Sequence, residues 1–491
     1  MENKKILITT AIPYINAKPH IGHALEFIET DVYARNKRSL GNDVFFLTGT
    51  DENSLKGVKV AEKEGVLPKE LADKNSEIFK GFKQKLNISF DGFIRTTEPR
   101  HIKGAQKLWK LCEKDIYKKN YKGLYCVGCE SFYLESNLID GLCPDHKTKP
   151  EIVEEENYFF KLSGYQNKLC ELVLNDIVKI IPEKRKNEVL GFIKQGLEDF
   201  SISRSQERAK NWGVPVPDDN SQIMYVWFDA LSNYITGLDF AENGKLYQKY
   251  WQNSDKIVHI IGKDILRFHA VYWPAMLLSA GLKLPNEIFV HGFVTTGGEK
   301  MSKTLGNVVD PLEIAEKYGI DPLRFYLLKE IPAYDDGEFT IEDFIKRYNG
   351  DLANGLGNLV SRVLVLAKKA GIEKINEIED VEEKINEILK RIKDNIEIFK
   401  FNEALNAVWE LVNLGNQYID SNEPWKKTGK ELNSILSNLI YLIINLGWVL
   451  RPFLPETSEK ILNKIGLEKN LDYEIKSFKI SGDITPLFKR I

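Results

Sequence analysis

The sequence predicts an α/β protein in which a parallel sheet is split by an inserted segment and followed by an all-α helix bundle. Three observations carry that expectation. Strand and helix patterns alternate from the N-terminus, a stretch with its own cysteines interrupts them, and from about Asp351 the apolar periodicity is helical almost throughout. At 491 residues the chain exceeds one ordinary core, so about three structural units are expected.

The first element is "KKILITT", which reads as a buried strand. After the turn residues "AIPYINAKP", the stretch "HIGHALEFIETDVYARNKRSLG" becomes helical, with Ile21, Leu25, Ile28 and Val32 at spacings of three and four. "NDVFFLTGTDE" is a second strand opening into a polar loop, which completes the strand, helix, strand order of a parallel sheet. Residues 116–225 break that order with hairpin-like signals and read as an insertion. Parallel-sheet signals resume with "QIMYVWFDALSNYI", "KIVHIIGKDILRFHAVYWPAMLL" and "EIFVHGFV". The two halves of the α/β domain are thus expected at 1–115 and 226–295, with a loop and connecting region at 296–350 and the bundle at 351–491. In the bundle Leu405, Val408, Leu411 and Val412 form one apolar stripe, whereas "EIEDVEEKINEILKRIKD" reads as a solvated helix face. The most apolar stretch, Ile435 to Leu450, is interrupted by Ser437, Asn438, Asn445 and Gly447 and falls short of the ~20 apolar residues that span a bilayer. It reads as a buried core helix, with no membrane partner.

A net charge of −3, with 43% hydrophobic and 28% charged residues, excludes a coat of positive charge for non-specific nucleic-acid binding but leaves room for a local basic face. "MENKKILITT" enters a β-branched run without a cleavable apolar core or amphipathic leader, so a cytoplasmic chain is expected. Five cysteines, clustered mainly in one segment, do not form the disulfide framework of a secreted domain.

Three constellations carry chemistry. In "PHIGH", His20 and His23 lie three apart at the start of a helix that follows a strand, beside exposed backbone N–H groups and the positive end of the helix dipole. Gly22 would let a flat base approach the backbone. The ordinary alternative is a pair of surface histidines. In "TTGGEKMSKTLGN", Lys300 and Lys303 follow two glycines in a stretch with neither helical nor strand periodicity. Such a stretch is ordinarily a solvated loop. Opposite a triphosphate, its lysines could close on the nucleotide and meet the growing charge of a departing pyrophosphate. In "YCVGCESFYLESNLIDGLCPDH", Cys126 and Cys129, then Cys143 and His146, form two pairs each separated by two residues, with thirteen residues between the pairs. Three thiolates and an imidazole suit one closed tetrahedral Zn²⁺ site, structural because no position remains for a reactive water. The alternative is reduced thiols packed as small hydrophobes. Cys112 and Cys170 have no comparable partners and read as structural.

HIGH after the first strand and KMSK[ST] after the last strand of one split domain resemble the class I aminoacyl-tRNA synthetases. Within that class the whole chain resembles the methionyl-tRNA synthetase family, through "TTAIPYINAKPHIGH", "FLTGTDE", "DFSISR", "WGVPVP", "YVWFDAL", "IIGKDILRFHAVYWPAML" and "EKMSKTLGNVVDP". The resemblance implies a split Rossmann-type domain, a connective insertion in its one-zinc form near the active-site mouth, and a helical anticodon-binding domain. It implies that L-methionine is activated with ATP and Mg²⁺ to methionyl-adenylate, then transferred to tRNA(Met), both initiator and elongator. Catalysis and ATP binding would fall to His20, His23, Lys300 and Lys303, with Gly22 and Asp264 on the nucleotide. The methionine pocket would comprise Ile12, Tyr14, Asp51, Trp227, Ala230, Leu231, Tyr234, Ile265 and His269. Asn358, Arg362, Pro424 and Trp425 would read the CAU anticodon. An apolar aromatic slot with one carboxylate fits a thioether side chain and an ammonium. Core packing is the ordinary reading of Trp227 and Tyr234 without the family.

Three positions depart from the family pattern. The common "DEHG" continues here as "DENS", so Asn53 and Ser54 replace a ring and a glycine. Thr304 stands where Ser is usual, and Leu231 where some members have Pro. Some members carry an appended dimerising domain after the bundle, whereas this sequence stops at "PLFKRI", so a monomer is expected. A small-molecule nucleotidyltransferase can also carry an H-x-G-H helix but needs neither insertion nor bundle. A non-catalytic tRNA-binding relative would not need His20, His23, Lys300 and Lys303 intact.

Overall fold

A computed structural model describes residues 3–127, 131–133, 135, 138–144, 147–300, 308–375, 378, 381–467, 478–480 and 484–491, with backbone alone at 131, 132, 299 and 300. The chain divides into two compact units: Met1–Pro19, Lys37–Gln84 and Ile88–His291 form the first, and His20–Asn36, Lys85–Asn87 and Gly292–Ile491 the second.

The first unit is built on a six-stranded sheet of β1 (Lys5–Thr10), β2 (Asp43–Thr50), β3 (Gly92–Arg95), β4 (Lys179–Ile181), β5 (Lys256–Gly262) and β6 (Glu287–His291). The order is β3-β2-β1-β5-β6-β4, and every pairing is parallel. Ile8 in β1 stands between Phe46 of β2 and Val258 of β5. "KILITT" and "KIVHIIG" are almost wholly buried, which is why they read as unbroken apolar runs rather than alternating ones. Along the chain β1 leads into α1 (Ile21–Ser39) and on to β2, as the sequence predicts. Ile21, Leu25, Ile28 and Val32 are all buried.

Two readings need correction. Within 116–225 the hairpin signals are real: Ile116–Cys126 pairs antiparallel with both Ser131–Tyr133 and Glu151–Phe160. The same stretch, however, supplies β4, the edge strand of the main sheet beside β6. Three residues are too short a run to announce themselves as a strand. The second is "QIMYVWFDALSNYI", which is not a strand of the parallel sheet. Asp219–Met224 is antiparallel to Ser203–Ser205, and the chain then turns into α2 (Val226–Leu231) and the helical turn Asn233–Thr236. Every residue of both helical segments is buried, the polar Asp229, Asn233 and Thr236 included, so no amphipathic period separates helix from strand here.

The second unit ends in helices α3 (Asn358–Ala370), α4 (Glu382–Glu397), α5 (Phe401–Asn422), α6 (Gly429–Leu450) and α7 (Pro455–Lys464). The stripe Leu405, Val408, Leu411 and Val412 is buried, and α4 buries Ile385, Ile388, Ile392 and Ile396 while its charged face stays outside. A Cβ at Gly415 would lie 2.9 Å from the Leu359 side chain and 3.1 Å from that of Leu442, so glycine sets the close approach of α5 to α3 and α6. By length and composition α6 could cross a membrane. It is instead lodged among its neighbours, with Ser437 and Asn438 buried as well and Asn438 Nδ2 donating to Tyr418 Oη at 2.8 Å.

Candidate active site

The predicted methionine residues all lie in the first unit, and most leave the carboxyl ends of three adjacent strands, where open parallel sheets place their ligands. Ile12 and Tyr14 follow β1, Asp51 follows β2, and Asp264, Ile265 and His269 follow β5. Tyr14 and Asp51 form a parallel bridge, and Asp51 N–H donates to Pro13 O at 2.9 Å. Trp227, Ala230 and Leu231 come from α2 and Tyr234 from the next helical turn. The Tyr14 and Trp227 rings meet edge to face at 6.5 Å. Phe268, which the pattern reading leaves out, stacks on Trp227 with centroids 3.6 Å apart and planes 5° from parallel. Its signal was its place in "ILRFH", between two pocket residues.

One end of this cluster is neutral by construction. His269 Nδ1–H donates to the carbonyl of Ile265 at 2.9 Å, so Nε2 carries no proton in the neutral ring and accepts from Tyr234 Oη at 2.6 Å. Burial pushes the His269 pKa down to about 4. His259 behind it, bonded to Thr9 Oγ1 at 2.7 Å, is held neutral by burial in the same way. Trp227 Nε1 is buried and has no hydrogen-bond partner among the described residues. The departure "DENS" also has a structural explanation. Ser54 Oγ caps the helix Leu55–Glu64 by accepting from Gly57 N at 3.0 Å, and Asn53 is buried in a polar network.

The signature helix α1 begins in the second unit. His23 Nδ1 accepts from His20 N–H at 3.1 Å and His20 Nδ1 from Gly22 N–H at 3.2 Å, with the rings stacked at 3.8 Å. Each neutral ring therefore carries its proton on Nε2, a donor suited to phosphate oxygen. No acidic residue occupies the first turn. Ile21 N–H donates to Val309 O at 3.0 Å, which ties the helix start to the segment after KMSKT. Asp31, further along α1, accepts from Arg35 Nε at 2.7 Å and from Arg324 Nη2 at 2.8 Å. The fully buried Arg324 also donates to the carbonyls of Leu86, Asn87, Pro452 and Phe453.

The loop reading is corrected in part. Glu299–Lys300 is a short strand paired with Val294–Thr296 across Gly297 and Gly298, whose φ values of 64° and 75° suit a tight hairpin turn. Lys300 is therefore held in register opposite Thr295 at backbone level. Lys303 and Thr304 lie outside the described residues.

The family model for class I tRNA synthetases (M) matches residues 6–149 and 137–364, and that for the anticodon-binding domain of tRNA ligases matches 379–479. The methionine–tRNA ligase of Clostridium acetobutylicum is 43% identical over 97% of this chain and 76% of its own length. That of Brucella suis is 43% identical over 94% of this chain and 92% of its own. The chain belongs to the methionine–tRNA ligase family. A solved Mycobacterium tuberculosis methionyl-tRNA synthetase in complex with methionyl-adenylate superposes with a TM-score of 0.93 at 40% identity, covering 99% of this chain and 100% of that one. The apo form of that enzyme gives 0.85 at 38% identity, covering 99% of this chain and 98% of its own.

Of the family's candidate metal ligands here, Cys126 and Cys143 are buried, whereas Cys129 and His146 lie outside the described residues. No group of three metal-binding side chains occurs among the described residues. Cys112 is buried in the core, its thiol donating to Met276 O at 3.4 Å with its pKa pushed up to about 12 by burial. In the bundle Asn358 is exposed at the start of α3, and Arg362 one turn on pairs with Asp420 of α5 at 2.9 Å. Pro424 is buried, while Trp425 beside it is 52% exposed.

Proposed function

We propose that this chain ligates L-methionine to tRNA(Met) through methionyl-adenylate. The observation that supports the reading is an aromatic cluster in which Trp227 stacks on Phe268, with a neutral Tyr234–His269 pair at one end and Asp51 bridged to Tyr14; it is read as the wall of a methionine slot. A thioether has little hydration to lose in such surroundings, whereas a charged side chain would lose its hydration there. Asp51 takes the substrate ammonium. The methionine carboxylate attacks the α-phosphorus of ATP, and the bond to the bridging oxygen breaks to release pyrophosphate. His20 and His23 offer their Nε2 protons to the phosphates, and Lys300 and Lys303 offset the charge that grows on the leaving group. Mg²⁺ accompanies ATP as substrate, and Asp264 serves the ribose. The terminal ribose hydroxyl of the tRNA then attacks the activated carbonyl and AMP departs.

Cys126, Cys129, Cys143 and His146 fit one structural zinc ion by donor type and number. Asn358, Arg362 and Trp425 are the bundle residues for anticodon bases, since an exposed indole can stack on one. The experiment is aminoacylation of purified tRNA(Met) with methionine, beside the same tRNA carrying a changed anticodon. Charging of the first and loss with the second is expected; equal charging of both would reject the tRNA part of the reading.

A further inference from the structure

We propose that Asn53 and Asp229 are positioning residues of the methionine slot, their buried amide-to-carboxylate bond holding the loop of Asp51 against the helix of Trp227, Ala230 and Leu231. The inference rests on the slot reading above and adds to it residues that touch no substrate. Both protons of the Asn53 amide are used: Nδ2 donates to Asp229 Oδ2 at 2.7 Å and to Thr96 O at 3.1 Å. The other Asp229 oxygen takes His101 Nε2 at 2.5 Å, and His101 Nδ1 is bonded to Thr236 Oγ1 at 2.8 Å. Asn53 N–H reaches Asp51 Oδ1 at 3.3 Å. The Asp229 carboxylate thus joins α2 directly to the Asp51 loop and, through His101, to the helical turn of Tyr234.

Burial makes the arrangement more than filler. Asp229, His101 and Thr236 are fully buried and Asn53 nearly so. A carboxylate so placed is costly unless its oxygens are bonded, and apolar residues of similar volume would often be as stable. What the polar network adds is direction: each bond fixes an angle between segments that packing alone leaves adjustable. Asn53 is also one of the departures from the common family pattern. An imidazole at 53 could give one ring N–H to Asp229 but could not serve Thr96 O from the same nitrogen. The two-pronged bond thus belongs to the asparagine.

The test is methionine-dependent exchange of labelled pyrophosphate into ATP for Asn53→Asp, Asn53→Ala and Asn53→His, with Trp227→Phe as a control on the slot. Asn53→Asp sets two buried carboxylates against each other and should raise the KM for methionine about tenfold or more, with the KM for ATP within about twofold of the parent. Asn53→Ala should move the same way, and Asn53→His should recover part of the loss. If Asn53→Asp fails to fold, the alanine and histidine variants carry the same comparison. Unchanged methionine KM in the folded variants overturns the proposal, as does an equal rise in both KM values with a lowered melting temperature. An unaltered methionine KM in Trp227→Phe would reject the slot reading instead. A rise there with none at Asn53 would reject only the positioning role.

Discussion

Behind the Tyr234–His269 pair the protein buries rings and keeps them neutral, whereas behind the signature helix it buries a full ion pair. In the first case Tyr234 donates to a histidine whose other nitrogen is committed to Ile265 O, and His259 is neutral as well. In the second, Asp31 and Arg324 are both fully buried, and the guanidinium spends its donors on one carboxylate and four backbone carbonyls. The difference follows what each place has to do. On the proposed function, the end of the slot that meets the uncharged side chain holds no charge, Asp51 being kept for the ammonium, while a helix end that would face phosphate needs its backbone fixed away from the ligand. Charge is therefore used for anchoring, and neutrality for recognition.

The anchor is the easiest part of the comparison to break. Arg324→Met should cost about 3–5 kcal/mol in a denaturant melt, because it takes one guanidinium from the buried Asp31, which keeps Arg35, and strips four backbone carbonyls of a donor. Adding Asp31→Asn should return about 1–2 kcal/mol of that loss, through the coupling of contacting residues. Two equal and additive losses would show that the pair is not an anchor.

Lys303→Ala should raise the barrier to adenylate formation by about 3–4 kcal/mol while leaving methionine binding almost unchanged, since its charge matters most as pyrophosphate departs. Single-turnover rates beside methionine titration measure both, and equal losses would count against the role.

The neutral pair sharpens the comparison through pH. His269 has a folded pKa of about 4, below the ordinary 6.5, so below pH 6.5 the unfolded chain binds a proton that the folded chain does not. Its contribution is whole above pH 6.5 and falls away as the pH drops towards 4, by on the order of 3 kcal/mol in total. His269→Gln should flatten stability across that window. A profile as steep as the parent's would assign the pH dependence to other groups.

The smallest effect is expected at Trp425. Its removal to alanine should weaken tRNA recognition by about 1–3 kcal/mol in kcat/KM. Pyrophosphate exchange should stay at the parent's level, and so should the melting temperature, because the ring is 52% exposed. A melting shift with unaltered tRNA kinetics would make it a packing residue.

Much of this was legible in the residues alone. The stripe of α1, the central strands and the bundle declared themselves through periods of 3.6 or unbroken apolar runs, and the slot residues fell within quoted motif blocks. The network around Asp229 did not, because its partners lie 128 and 176 residues away and no local pattern encodes such pairing. Asn53 was visible only as a departure, and its bond to Asp229 required the fold. Arg324 was hidden for the same reason: an arginine inside an apolar helix gives no sign of which carbonyls receive it.

The central claim is that a neutral aromatic slot selects the methionine side chain before any tRNA is involved. It is tested most directly by pyrophosphate exchange with each amino acid in turn and no tRNA present. The account predicts strong exchange with methionine and none with lysine or glutamate, whose charged ends would lose their hydration among the rings. Exchange that is equal across amino acids, or greatest with a charged one, would contradict it.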